Sequence, residues 1–116
     1  MPRRARRLQD ILEACDSIHA FLEDVDEPEF RGDDLLRSAV LLKLLVIGEA
    51  ASQLGKPFHD EHEHVPWEDI VALRNLLIHQ YFRVDWSIVW TTATEEVPRL
   101  RDQVANILDE GDGVEE

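Results

Sequence analysis

The sequence predicts an all-α fold, a single-domain up-and-down bundle of four to five helices, on three observations. Apolar residues recur at spacings of three and four along most of the chain. Segments rich in Pro, Gly and acidic caps divide these periodic stretches, and no stretch alternates apolar and polar residues as a half-buried strand would. The length, 116 residues with 44% hydrophobic side chains, suffices for one core and leaves no room for a second domain. No repeat of roughly 20–50 residues is present.

The first helix follows from Leu8, Ile11, Leu12, Cys15, Ile18, Leu22 and Val25, which form one stripe. Residues 1–7 (MPRRARR) precede the stripe and are expected as a basic, solvated N-terminal tail. Residues 26–32 (DEPEFRG) interrupt the period and read as a turn, after which Asp33 or Asp34 can cap the second helix. That helix, residues 34–54, is apolar nearly all round between Ala39 and Ala51, as the central helix of a bundle would be. Residues 55–65 (GKPFHDEHEHV) are polar and punctuated and read as a connection.

Pro66 at a first helical position, with Glu68 and Asp69 in the first turn, opens the third helix. Asp85 caps a fourth, with Trp86, Val89, Trp90, Ala93, Val97, Leu100, Val104, Ile107 and Leu108 at helical spacing. Pro98 must kink or break it into two pieces. The bundle therefore spans residues 8–109, and residues 110–116 form an acidic tail expected to be disordered. The spacing of Trp67, Trp86 and Trp90 marks them as packing residues rather than a base-stacking set.

Charge narrows the function classes. The net charge is −13, and four of the 12 basic residues (Arg3, Arg4, Arg6 and Arg7) lie in the first seven positions, so the remainder carries −17. Diffuse electrostatic binding to nucleic acid or anionic membrane is disfavoured, and any nucleic-acid role must use a small focused site. The longest apolar run, residues 39–47, is broken by Lys43 and is too short for a bilayer span. The N-terminus lacks the apolar region of a secretory signal, and Cys15 has no partner for an internal disulfide, so a cytoplasmic protein is expected.

The densest chemistry is RNLLIHQYF, residues 74–82, which puts Arg74, Asn75, His79 and Tyr81 within two helical turns of an apolar segment. Arg74 offers a permanent cation whose planar fork suits a phosphate. His79 can exchange protons near neutral pH. Together they suit metal-free cleavage of RNA by attack of a ribose 2′-hydroxyl on the adjacent phosphorus. Five residues at about 100° each set Arg74 and His79 ~140° apart, whereas Asn75 and His79 share a face. One chain then does not complete the site, and a two-fold homodimer would bring two Arg and two His to one cleft. Glu49, an isolated charge in the apolar second helix, needs a partner, with Arg74 or Lys43 the natural one and Gly48 beside it permitting close helix approach. His59, His62 and His64 with their neighbouring acids have the composition of a zinc or nickel site, but a connection supplies no fixed scaffold, and no metal or cofactor is assigned.

The residues IGEAA (47–51), VPW (65–67), RNLLIHQYF (74–82) and VDWSIVW (84–90), in this order and separation, resemble the HepT-like family of the HEPN superfamily, small helical toxins of prokaryotic toxin–antitoxin modules. The similarity covers residues 8–108. The resemblance implies a homodimeric, metal-independent ribonuclease toxin whose Arg and His match Arg74 and His79, with Asn75 supporting them; Glu49, from the charge argument above, is expected as a supporting residue that orients Arg74, and tRNA is one candidate substrate. It also implies that Tyr81 is the hydroxyl to which an MntA-like nucleotidyltransferase antitoxin attaches AMP, silencing the toxin. An added phosphodiester near Arg74 would mimic substrate charge and obstruct the cleft. The competing readings are a catalytically weak HEPN scaffold that binds nucleotide or a partner protein, and a purely structural bundle.

Overall fold

The computed structural model describes residues 2–111, and within them every regular element is helical. The order is α1 (Arg3–Phe21), α2 (Glu27–Gly32), α3 (Asp34–Leu54), α4 (Lys56–Glu61), α5 (Trp67–His79), a 3₁₀ turn (Tyr81–Arg83), α6 (Trp86–Thr91), a π segment (Thr92–Glu96) and α7 (Val97–Asp109). α3 lies between α1 and α5, and α1 packs on α7 as well. The core is drawn from Leu8, Ile11, Cys15 and Ile18 of α1, Val40, Leu44 and Ile47 of α3, and Val104 and Ile107 of α7. The α1 and α7 residues are those of the predicted stripes, and the α3 residues lie in the segment expected to be apolar nearly all round. Burial pushes the Cys15 thiol up to about 12, with the neighbouring Asp16 acting in the same sense, so it stays protonated and inert near neutral pH. No helix among the described residues is long and apolar enough to cross a membrane.

Four differences from the sequence reading have physical causes. The first concerns the N-terminus. Helix α1 begins at Arg3, so the arginine run forms its opening turns instead of a solvated tail; Ala5 is buried and the Arg4 guanidinium lies over the Phe58 ring at 5.3 Å. Second, the turn at residues 26–32 is the short helix α2, capped by the Asp26 carboxylate accepting from Glu29 N–H at 2.9 Å, with Pro28 in the first turn. Its purpose in the fold is Phe30, fully buried against Trp86 and Trp90.

Third, the connection at residues 55–65 contains α4, entered through Gly55 at φ +84°, a conformation a side chain would strain. It buries Phe58 against Trp67 and His62. His59 stacks on Trp67 and its Nε2 donates to the Ala51 carbonyl at 2.7 Å, while Trp67 Nε1 donates to the His62 carbonyl at 3.0 Å. Trp67 is the first helical residue of α5, with Pro66 in the cap position. Fourth, the two pieces expected at Pro98 are present but not separated. Pro98 cannot donate to the preceding turn, and the helix absorbs this by widening to the π segment before α7 instead of breaking. The expected acidic tail lies outside the described residues beyond position 111.

Candidate active site

The site is built where α3 and α5 approach most closely. A Cβ placed on Gly48 would lie 2.2 Å from Arg74 Cβ and 2.7 Å from its Cγ, so only glycine lets the Arg74 stem lie flat against α3. From there the Arg74 guanidinium reaches Glu49: Nη2 donates to Oε2 at 2.6 Å, and Nη1 donates to Asn75 Oδ1 at 2.8 Å. Gln53 Nε2 donates to the other Glu49 oxygen at 2.9 Å. Glu49 is the expected partner, but its setting is not the buried one its apolar neighbours suggested. Its side chain is 49% exposed and that of Arg74 28%, because α3 turns Leu35, Leu42, Val46 and Glu49 to the outside. An ion pair so exposed contributes only about 0–1 kcal/mol of stability, so its main effect is to hold the guanidinium in one orientation. Gln53 was missed at the sequence level, although its i+4 spacing from Glu49 was visible there.

Asn75 shares a face with His79 on an ideal helix, yet in the structure its oxygen is committed to Arg74. His79 is the last residue of α5, exposed, and engaged in no side-chain hydrogen bond among the described residues. The helix ends there. Extrapolating α5 to Tyr81, which would put that residue on nearly the same face as Arg74, therefore fails: Gln80 leaves helical geometry at φ −133° and ψ 39°, and Tyr81 opens the 3₁₀ turn. Its ring sits edge-on to Phe82 (5.4 Å) and Trp86 (6.4 Å) and is partly exposed. Trp86 is in turn covered by the Arg37 guanidinium at 5.3 Å, and Arg37 also donates to the Arg31 carbonyl at the end of α2. The short helix α2 thus supports the turn that presents Tyr81.

Most of α5 is open, contrary to the buried appearance of its sequence. Only Trp67 and Leu77 of this helix are fully buried, while Leu76 and Ile78 are exposed and Phe82 just beyond is 100% exposed. The groove of about 570 Å³ between α3, α5 and α7, lined by residues such as Ile47, Leu73 and Leu100, includes neither Arg74 nor His79. His59 and His62 serve packing, as described above, whereas His64 is exposed, and no group of three or more His, Cys, Asp or Glu among the described residues is arranged to hold a metal ion. Chemically, the surface offers an oriented guanidinium that can donate to a phosphate oxygen and a solvent-accessible imidazole at the end of the same helix.

Comparison with known proteins matches residues 11–107 to the family described as ribonuclease HepT-like. Among curated relatives, "Putative RNase MJ1380" of Methanocaldococcus jannaschii is 38% identical, covering 84% of this chain and 89% of that protein. "Putative RNase TTE0752" of Caldanaerobacter subterraneus subsp. tengcongensis is 38% identical over 87% of this chain and 90% of its own. "Probable ribonuclease HepT" of Thermococcus cleftensis is 35% identical over 81% and 86%. No solved structure gives a significant match.

Proposed function

The chain belongs to the ribonuclease HepT-like family and is a ribonuclease, and on that premise we propose that it is a metal-independent endoribonuclease toxin whose Arg74 and His79 act on an RNA phosphodiester. The observation that carries this reading is the Arg74 guanidinium held by Glu49 and Asn75 on the helix that ends in an unengaged, exposed His79. His79 would take the proton of a ribose 2′-hydroxyl as its oxygen attacks phosphorus. Arg74 would stabilise the charge on the pentacoordinate phosphate. The P–O5′ bond then breaks, the 5′-oxygen takes up a proton, and the products are a 2′,3′-cyclic phosphate and a 5′-hydroxyl.

A homodimer supports this chemistry, because a second His79 could protonate the leaving oxygen. Exposed Leu42, Val46, Leu76 and Ile78 around the site form the apolar surface such a dimer would cover. The toxin's control would come from an MntA-like nucleotidyltransferase antitoxin that transfers AMP from ATP to the Tyr81 hydroxyl and releases pyrophosphate. The position of Tyr81, two residues beyond His79 and partly exposed, supports access for that enzyme. The resulting phosphodiester would bring negative charge beside the site. Such a module acts in the cytoplasm.

Purified protein should cleave a total-tRNA pool in the presence of EDTA at one or more salt concentrations, read by gel. Absence of cleavage at every salt concentration would favour the scaffold that binds nucleotide or a partner protein. After incubation with the antitoxin and ATP, intact mass should show added AMP on the wild type and none on Tyr81→Phe. An unchanged AMP load in that variant would move the acceptor elsewhere.

A further inference from the structure

In a chain of net charge −13, several cations are claimed by neighbouring carboxylates: Arg31, Arg37, Lys56, Arg74, Arg99 and Arg101 each lie within 4.0 Å of one. Arg7 is placed differently. It lies on the second turn of α1 and, among the described residues, makes no ion pair or side-chain hydrogen bond. Together with Val46, Glu49 and Gln53 of α3 it lines a shallow cleft of about 280 Å³. Glu49 is the same residue that holds Arg74 from the other side, and both its oxygens are already taken, by Arg74 and by Gln53. Arg7 is therefore within the surface of the candidate active site without being neutralised by its nearest α3 carboxylate.

We propose that Arg7 binds a backbone phosphate of the RNA strand, one that flanks the scissile phosphate and lies in the α1–α3 cleft next to the Arg74–Glu49 pair. This rests on the ribonuclease reading above and supplies what the acidity of the chain otherwise denies it, a local cation for a second phosphate. The folding of the arginine run into α1 is what makes the contact specific, since a solvated tail would hold no fixed position beside Glu49. Asp10 also lines the cleft and opposes the anion, so it tunes the site in the other direction. A phosphate contact fixes register without reading sequence, and Arg7 accordingly contributes to affinity for any RNA.

The test is RNA binding by the His79→Ala protein across a series of NaCl concentrations, followed by fluorescence anisotropy, with further substitutions added to that background. Arg7→Gln should weaken binding several-fold at low salt and make the slope of log K against log salt shallower by ~0.7, the value for one phosphate contact on a single strand. Arg7→Lys should keep the slope, and Asp10→Asn should tighten binding. Arg101→Gln removes the same charge on the α1–α7 side, where Arg101 pairs with Asp16, and should leave the slope unchanged. Circular dichroism confirms folding of each, and Asp10→Asn tests the cleft even where an Arg7 variant folds poorly. Binding with a slope indifferent to Arg7→Gln would overturn the phosphate contact and leave the active-site reading standing. An altered oligomeric state with an unaltered slope would make Arg7 a contact between copies and overturn it too. Failure of the parent protein to bind any RNA would overturn both.

Discussion

His79→Ala is expected to lower the rate of RNA cleavage by about 10²–10⁴-fold, the range for removal of a positioned proton-transfer group, while leaving the fold unchanged. The two halves of this expectation rest on different observations. His79 is exposed at the end of α5, contributes nothing to the buried cluster and engages no other side chain among the described residues, so its truncation leaves no cavity and no orphaned partner. Substitutions at such positions shift stability by about 0.5 kcal/mol or less. Single-turnover cleavage beside thermal melting by circular dichroism separates the outcomes. Cleavage near the wild-type rate would remove His79 from the chemistry, and loss of the folded state would make it a structural residue.

Gly48→Ala is expected to destabilise the bundle by about 1–3 kcal/mol, the usual cost of forcing atoms into a packed contact, and to reduce cleavage with it. The added methyl would meet Arg74 Cβ at 2.2 Å, which is the root of the side chain and not its mobile end. The only relief is to move α5 away from α3, and that movement draws Arg74 from Glu49, on which its orientation depends. Arg74→Ala in the same protein should not restore stability, because the alanine keeps the offending Cβ. Denaturant melts of the two single variants and the double variant check this. An unchanged midpoint in Gly48→Ala would show that the helices have room to spare.

Helix α3 is legible to its ends because an Asp cap, a segment apolar nearly all round and a following Gly all mark the same boundaries. The stripe of α1 and the disturbance at Pro98 are legible for the same kind of local reason. Helices α2 and α4 are not, since each has six residues, too few to show a period, and each is held by one buried phenylalanine, Phe30 against the distant Trp86 and Trp90, and Phe58 against Trp67 and beneath Arg4 of α1. Charge alone offers Arg74 or Lys43 as the partner of Glu49, but the choice of Arg74 and the exposure of the pair depend on which flanks of α3 are covered by α1 and α5, and hydropathy does not reveal that.

By itself the sequence determined that the protein is an all-α bundle, that it belongs with the HepT-like ribonucleases and that Arg74 and His79 are its most reactive-looking pair, because periodicity, caps and a motif of nine residues are local properties. Only the tertiary structure decided that α5 ends at His79 so that Tyr81 turns away from its helical register, that Asn75 serves Arg74, and that the first turns of α1 bring Arg7 beside Glu49. These are outcomes of packing between segments far apart in the chain, where the close approach at Gly48 and the burial of Phe30 and Phe58 override what each segment would do alone.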